Sequence, residues 1–350
     1  MMTDSQLNNL SSETVLDVRN LVIDIDVPAG TLHAVSDISF DLKQGETLCI
    51  VGESGCGKSI TSLAVMNLLP RKARMRASQL SLQGIDLLAL NEKEFAALRG
   101  NKMGMIFQDA MTSLNPVYRV GDQMEEVFLR HRSGGRKESR EKAIYFLEKV
   151  GITAAKSRLT QYPHQLSGGL RQRIMIAMTL MCEPALIIAD EPTTALDVTI
   201  QAQILHLLSS LQKELNMAMI LITHDLGVVA RMADRVAIMY AGKIVETGTC
   251  DQVFAKPLHP YTQGLLRCIP VPGKSKPGSK LGSIKGLVPA LIGDLEGCLF
   301  RNRCQYLEDD CITENVDFVA LSEGRTYRCL MASDRCQENF SADEIRDATP

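Results

Sequence analysis

The sequence has little that would mark a membrane-embedded, secreted or nucleic-acid-binding protein. Its longest apolar stretches, 185–189 and 217–222, are strand-sized and well short of the ~18 residues that a membrane span needs. The net charge is only −3 over 350 residues, so no basic excess indicates a nucleic-acid partner. Segment 1–18 has neither a basic start nor an apolar core, which argues against a secretory signal. We therefore expect a cytoplasmic chain.

Cysteine, in contrast, is plentiful and unevenly distributed. The chain contains ten Cys, and a reducing compartment favours free thiols, metal binding or redox use over disulfides. Half of them are scattered among small or apolar neighbours, and the other half crowd the last fifth of the chain, at Cys298, Cys304, Cys311, Cys329 and Cys336.

The order of hydrophobic patterns predicts an α/β fold. Alternating apolar and polar residues at 16–27 and 34–42 predict antiparallel strands. Further along, the apolar segments 185–190 and 218–223 read as buried strands, and a helical pattern at 199–215 separates them. Because strand, helix and strand alternate there, we expect a parallel sheet in the core.

The stretch VGESGCGKS (51–59) fits a phosphate-binding loop, since it follows an apolar strand and precedes a helical pattern. Glycines let successive N–H groups point at phosphate oxygens. Lys58 would bind the β- and γ-phosphates, and Ser59 would ligate Mg²⁺. Cys56 is interpreted as a small side chain whose thiol sensitises the site to thiol reagents. The nucleotide-binding residues predicted here are Gly52, Glu53, Ser54, Gly55, Cys56, Gly57, Lys58, Ser59 and Ile60.

The segment LIIADE (186–191) supplies the acidic part of a nucleotide site. Its apolar residues predict a core strand, and Asp190 would emerge at the carboxyl end beside the phosphate loop to hold Mg²⁺. Glu191 would polarise a water for attack on the γ-phosphate. Two solvated acids at a strand end are the alternative, which the phosphate loop makes the weaker interpretation.

The segment LSGGLRQR (166–173) predicts a second anion-binding helix start. Ser167, Gly168 and Gly169 would present a hydroxyl and free N–H groups. Simple helix capping by Ser167 is the alternative. One γ-phosphate does not need two such sites in a single chain, so the two sites are expected to serve different copies.

This series of motifs resembles that of ATP-binding-cassette (ABC) ATPases, in which two cassettes face head-to-tail and each signature covers the partner's nucleotide. The resemblance implies that Gln108, in MIFQDAMTSLNP, contacts Mg²⁺ or the attacking water. It implies that Asp197, in TALD, lies at the dimer seam and that His224, in LITHDL, contacts the γ-phosphate. The adenine-stacking aromatic of many cassettes would fall near Ile25, where this chain has an aliphatic residue.

Finer features, among them YPHQLSGG and HPYTQGLL, resemble the D-type ATPase subunits of dipeptide, oligopeptide and nickel importers. The resemblance implies a heterodimer with an F-type ATPase subunit, two transmembrane permease subunits and an extracytoplasmic solute-binding protein. The chain would lie peripherally on the cytoplasmic side of the inner membrane. The implied fold is a RecA-like parallel-sheet core with an antiparallel β subdomain and a helical subdomain. The domains expected are an N-terminal tail (1–15), the cassette (16–255) with its helical subdomain at about 109–180, and a small Cys-rich extension (256–350).

The tail cysteines suggest a thiolate-held group. A Pro/Gly/Ser/Lys-rich stretch, 270–283, predicts a linker before them. The spacing of Cys298, Cys304, Cys311 and Cys329 contains no CxxC pair, but it is similar to that of importer ATPases with a C-terminal [4Fe–4S] cluster. Tetrahedral Zn²⁺ and plain thiols are the alternatives, and Cys336 would be a spare thiol.

The leading prediction is an ATP-hydrolysing subunit, with Mg²⁺ as cofactor, that powers uptake of dipeptides or oligopeptides. The same machinery could import nickel or another small solute. A soluble ABC ATPase acting on ribosomes or DNA ends is an alternative from another class, but the chain has neither a second cassette nor a long coiled coil. A regulatory cassette that does not hydrolyse ATP is disfavoured by the intact Lys58, Asp190, Glu191 and His224.

Overall fold

A computed structural model describes residues 14–109, 113–194, 197–269, 283–293, 295–321 and 324–338. These residues form two compact units. The first unit takes its residues mainly from segment 80–222, and the second combines segments 18–40 and 47–79 with the chain from 223 onward.

The first unit contains three parallel strands whose residues are all buried, β7 (Met103–Ile106), β8 (Leu186–Asp190) and β9 (Ala218–Thr223). β8 pairs with β7 on one side and β9 on the other. Continuous apolar runs of this kind are typical of parallel strands covered on both faces. The same unit holds the short hairpin of β5 (Gln79–Leu82) and β6 (Ile85–Asp86). Its α-helices are Glu92–Leu98, Val120–His131, Arg136–Lys149, Ala155–Arg158, Gly168–Thr179 and Val198–Glu214, with a 3₁₀ helix at Pro163–Gln165.

The second unit is built on β3 (Thr47–Val51), which is fully buried and pairs in parallel with β10 (Arg235–Tyr240). β10 turns at Ala241 and Gly242, both at positive φ, into the antiparallel strand β11 (Lys243–Thr249). β1 (Thr14–Val27), β2 (Gly30–Lys43) and β4 (Ala73–Arg76) form antiparallel structure, with Val22 opposite Arg76 and Ile25 opposite Ala73.

Within the second unit, backbone pairing connects the C-terminal region, taken as the chain from residue 256 onward, to β11. β13 (Thr326–Tyr327) pairs antiparallel with β11, and β12 (Val319–Ala320) pairs with β13. The helices of this unit are Lys58–Val65, Leu226–Met232, Cys250–Ala255, Pro260–Arg267, Asp310–Thr313 and Ser333–Glu338, with a 3₁₀ helix at Arg301–Arg303.

Buried ion pairing reinforces this junction. Glu246 of β11 is fully buried and accepts hydrogen bonds from the backbone N–H groups of Leu258 and His259, both 2.9 Å long. The guanidinium of Arg325 donates to the same carboxylate over 3.0 Å. The second compact unit runs from residue 223 onward without a division at residue 256, where a domain boundary is expected from sequence. That boundary stays a prediction.

The α/β elements expected from sequence are present, with small shifts in their ends. The helix predicted at 199–215 runs from Val198 to Glu214, and the helix expected after the phosphate loop runs from Lys58 to Val65. β1 begins at Thr14, so the last two residues of the expected tail 1–15 are in a strand. The rest of that tail and almost all of the predicted linker 270–283 lie outside the described residues.

Candidate phosphate-binding and hydrolysis sites

The phosphate loop follows β3 directly, and its glycines are required by close backbone approach. A Cβ on Gly52 would lie 2.1 Å from the carbonyl oxygen of Met239. Gly57 has φ +107°, and a Cβ there would lie 2.6 Å from the carbonyl oxygen of Ala34. A left-handed backbone and this crowding together exclude other residues at Gly57. The loop ends where the Lys58–Val65 helix begins, so a helix start lies next to the loop.

Lys58 is oriented by the loop itself. Its ammonium donates to the carbonyl oxygens of Gly52 (2.8 Å) and Glu53 (2.9 Å), and the residue is only 4% exposed. Ser54, Gly55 and Ser59 are exposed at the surface of the loop. The arrangement brings one fixed positive charge together with exposed hydroxyls and N–H groups, as a polyphosphate site needs.

Cys56 is fully buried, and its Sγ lies 3.8 Å from the ammonium of Lys58. Burial raises the pKa of this thiol even though Lys58 lowers it. This burial argues against a reagent-sensitive thiol in the loop, because reactivity requires an accessible thiolate; the sensitivity itself stays a prediction.

Asp190 and Glu191 occupy the end of β8, where the backbone changes direction. Asp190 is 6% exposed. Glu191 has φ +43°, which is uncommon for a residue with a side chain, and its N–H donates to the carbonyl of Ile222 over 3.0 Å. This hydrogen bond to the neighbouring strand helps to offset the strained conformation.

The Glu191 carboxylate is held by two side chains. The amide of Gln108 and the hydroxyl of Thr194 each donate to Oε2 over 3.0 Å. The structure therefore brings together Glu191 and Gln108, two residues assigned to the hydrolysis site. Thr194 was missed as a contributor, although it lies three residues after Glu191 in DEPTTALD.

The signature segment opens the Gly168–Thr179 helix as expected. Ser167 is exposed, and its hydroxyl caps the helix by accepting from the N–H of Leu170 over 3.4 Å. A Cβ on Gly168 would meet nothing within 4 Å, so this helix start borders open space. Gln172, to which the sequence pattern assigns no role, is buried and donates to the carbonyl of Pro192 over 2.5 Å.

Three further predicted residues differ in their surroundings. Asp197 is exposed, and its carboxylate caps the Val198–Glu214 helix by accepting from the N–H of Ile200 over 3.0 Å. Two short segments next to predicted site residues, 195–196 and 110–112, lie outside the described residues. His224 is exposed just after β9. Ile25 is half-buried in β1, opposite Ala73.

The four tail cysteines share one small cavity. Cys298, Cys304, Cys311 and Cys329 all line it, together with aromatic and apolar residues such as Phe300. Burial, and to a smaller degree the neighbouring thiols of Cys329, Cys298 and Cys311, raise the pKa of Cys304 to about 11. Within the described ranges, however, no three His, Cys, Asp or Glu side chains are arranged as ligands of a metal ion.

Two contacts from the C-terminal region reach the phosphate loop and were not foreseen. The hydroxyl of Tyr261 accepts the N–H of Glu53, and the guanidinium of Arg303 binds the Glu53 carboxylate. Tyr261 stands in the HPYTQGLL segment, which the sequence marks only as a subfamily feature.

Among the residues that the structure describes, no helix has both the length and the apolar character to cross a bilayer.

Comparison with known proteins gives concordant matches. Residues 35–194 match the family model described as "ABC transporter", and residues 245–311 match that described as "Oligopeptide/dipeptide transporter, C-terminal region". The dipeptide transport ATP-binding protein DppD of Bacillus subtilis is 47% identical over 96% of this chain and 100% of its own length. DppD of Escherichia coli is 48% identical, covering 90% of this chain and 96% of its own.

Solved structures agree with the predicted architecture. The ATP-binding cassette MJ0796, described as a dimer in a post-hydrolysis state with ADP and Pi, superposes with a TM-score of 0.60 at 25% identity. That match covers 67% of this chain and 98% of MJ0796. The protein cbiO1 of Clostridium perfringens, part of the transporter complex cbiONQ, gives 0.59 at 28% identity over 70% of this chain and 92% of its own. The cassette fold expected from sequence is therefore confirmed.

Proposed function

This chain belongs to the ABC-transporter ATP-binding proteins of the oligopeptide/dipeptide type, and from that premise we propose that it hydrolyses ATP to power the import of dipeptides or oligopeptides. The contact between Gln108 and the Glu191 carboxylate, 3.0 Å long, carries the hydrolytic part of the proposal. Support for peptide cargo comes from the relatives' names and from the match of the C-terminal region.

In this mechanism, Lys58 binds the β- and γ-phosphates of ATP. Ser59 and Asp190 would hold Mg²⁺, and the ion would supply positive charge to the phosphate oxygens. Glu191 accepts a proton from the attacking water, while Gln108 and Thr194 keep its carboxylate in one orientation. His224 contacts the γ-phosphate.

Replacing the proposed general base tests hydrolysis. Glu191→Gln should lower ATP turnover by about 10²–10⁴-fold while ATP binding remains, because the amide keeps the shape but cannot take the proton. Phosphate release and equilibrium ATP binding measure the two effects. Glu183→Gln, at a surface pair with Lys142, is the matched control. Unchanged turnover in Glu191→Gln would refute the assignment.

The composite-site part of the proposal pairs this chain with a second, F-type ATPase subunit. Exposed Ser167 and the open space at Gly168 support it, since a partner's nucleotide could approach this helix start. Asp197 would then lie at the seam. Ser167→Arg should abolish turnover by the pair while leaving ATP binding to the isolated chain unchanged. If turnover persists in the purified pair, the signature does not cover a partner's nucleotide.

Two transmembrane permease subunits and an extracytoplasmic solute-binding protein complete the proposed importer, with this chain peripheral on the cytoplasmic side of the inner membrane. Exposed apolar side chains that stand close to Gln108 in the sequence support a permease contact in the first unit: Phe107 is 41%, Tyr118 56% and Val117 71% exposed. Tyr118→Asp should reduce co-purification with permeases, whereas Tyr145→Asp, also at an exposed tyrosine, should not. Equal retention of both variants would exclude this surface. Peptide uptake in cells lacking the chain distinguishes peptide cargo from nickel or another solute.

We also propose that Cys298, Cys304, Cys311 and Cys329 hold a [4Fe–4S] cluster, with Zn²⁺ as the alternative. The donor set fits, because four cysteines lining one cavity can provide the four thiolates that either group takes. Iron and sulfide in the anaerobically purified chain, lost in the variant with all four changed to Ser, would support the cluster. Zinc in place of iron would support the alternative, and neither metal would leave plain thiols.

A further inference from the structure

The first turn of the phosphate loop is bound by side chains that lie far along the chain. Glu53, the second residue of the loop, is contacted by Tyr261 and Arg303, which are 208 and 250 positions away. All three residues belong to the second compact unit. Neither partner is part of the phosphate-loop motif.

Arg303 binds Glu53 in a two-pronged geometry. Its Nη1 donates to Oε2 over 2.8 Å and its Nη2 donates to Oε1 over 3.0 Å. The guanidinium also donates to two backbone carbonyls, from Nε to that of Lys285 over 3.0 Å and from Nη2 to that of Ile284 over 3.2 Å. The Arg303 side chain is 4% exposed. A buried guanidinium needs a paired carboxylate, so Arg303 fixes where the Glu53 side chain must lie.

Tyr261 fixes the backbone of the same residue. Its hydroxyl accepts the N–H of Glu53 over 3.0 Å, and the residue is fully buried. Its ring packs against those of Tyr240 and Phe300, with centroids 4.7 and 5.6 Å away. The N–H of Tyr261 donates to Nδ1 of His259 over 3.0 Å. The hydroxyl is thereby held by a rigid aromatic cluster.

Both restraints reach Lys58 through one carbonyl. The ammonium of Lys58 donates to the carbonyl of Glu53, whose N–H and carboxylate are the groups that Tyr261 and Arg303 hold. A shift of Glu53 would therefore move one of the two carbonyls that orient the phosphate-binding ammonium.

We propose that Arg303 and Tyr261 are positioning residues of the nucleotide site, which hold Glu53 so that the phosphate loop keeps the shape that binds ATP. The C-terminal region is then a structural part of the ATP site rather than an independent appendage. This inference rests on the proposed binding of ATP, and it assigns the two residues no contact with nucleotide.

A double-mutant cycle tests the pair, with equilibrium binding of a fluorescent ATP analogue to the full chain as the readout. Arg303→Met and Glu53→Gln should each weaken binding roughly tenfold, and the double variant should be no weaker than the worse single variant, because both changes remove the same contact. Arg303→Lys, which keeps the charge but not the two-pronged geometry, should recover part of the loss. Arg301→Met, two residues away and bonded to the Glu296 carbonyl, is the matched control.

Each outcome decides a separate question. If the wild-type chain binds no ATP analogue, the proposed function fails. If the wild type binds and folded Arg303→Met binds equally well, or if the two losses simply add, the positioning role is excluded while ATP binding stands. Thermal unfolding of every variant identifies losses caused by misfolding, and Arg303→Lys then provides the informative comparison. An equal loss in Arg301→Met would also overturn the proposal.

Discussion

The phosphate loop and the acidic end of β8 are held in different ways. Glu191 receives its hydrogen bonds from Gln108 and Thr194, which both stand in nucleotide-site motifs of the sequence. Glu53 donates its N–H to Tyr261 and accepts from Arg303 at its carboxylate, and both partners stand outside those motifs. The Glu191 carboxylate is thus supported by residues of the nucleotide-site motifs, whereas the phosphate loop is supported by the C-terminal region.

Removing the positive charge of Lys58 from the phosphate loop should have a large effect on ATP turnover. Lys58→Ala should reduce ATP turnover by about 10²–10³-fold, because a preorganised donor to the developing charge is lost. Steady-state phosphate release at saturating ATP measures it, with the exposed Lys72→Ala as control. Turnover within a factor of about two of wild type would show that Lys58 is not the phosphate ligand.

The next largest effect should come from the junction of the C-terminal region. Glu246→Ala leaves Arg325 without its carboxylate and two buried N–H groups without their acceptor. Removing one partner of a buried pair costs about 3–5 kcal/mol, so the free energy of unfolding in urea should fall by that amount.

An exposed pair provides the control for this change. Glu308→Ala at the surface pair with Arg335 should cost about 0–1 kcal/mol. Equal losses for the two variants would mean that the buried junction contributes no special stability.

A smaller effect on ATP turnover is expected at the acidic end of β8. Thr194→Val removes one hydrogen bond to the Glu191 carboxylate and should lower turnover about tenfold, as expected for a hydrogen bond to a charged group. Affinity for ATP should not change. Thr193→Val is the matched control, and a loss of ATP affinity instead of turnover would contradict the separation of the two regions.

The smallest expected effect is the pH dependence of stability that comes from His259, the residue that accepts the N–H of Tyr261. Burial lowers the pKa of His259 to about 3, so its Nδ1 accepts the Tyr261 N–H in the neutral form. The unfolded chain binds this proton near pH 6.5, hence the free energy of unfolding should fall by roughly 1 kcal/mol as the pH drops from about 6.5 to about 5.5.

A variant isolates this titration from the other acid-sensitive groups. His259→Asn keeps an acceptor but does not titrate, so its urea midpoint should fall less than that of wild type between about pH 6.5 and pH 5. Parallel pH profiles for the two proteins would exclude His259 as the source of the difference.

Most of the cassette could be predicted from sequence because its signals are local. The apolar runs of β8 and β9, the strand before Gly52 and the helix after Gly57 each reveal their structure within a few residues. The burial of Cys56 depends on packing instead, which local patterns do not report.

The supports of the loop could not be predicted for the same reason. Arg303 reaches Glu53 only because the chain folds back over 250 positions, and no periodicity or spacing indicates such a contact. Tyr261 stands in HPYTQGLL, at the start of a helix, and the sequence marks this segment only as a subfamily feature. Its role as a hydrogen-bond acceptor from the loop emerges only from the fold.

The dependence of the phosphate loop on the C-terminal region is tested most directly by a single hydroxyl. Tyr261→Phe removes the acceptor of the Glu53 N–H and keeps the ring, whereas Tyr327→Phe removes a buried hydroxyl that donates to the carbonyl of Met331. Equilibrium ATP binding should weaken about fivefold in Tyr261→Phe and stay unchanged in Tyr327→Phe. Wild-type affinity in Tyr261→Phe, or the same loss in both variants, would contradict the account.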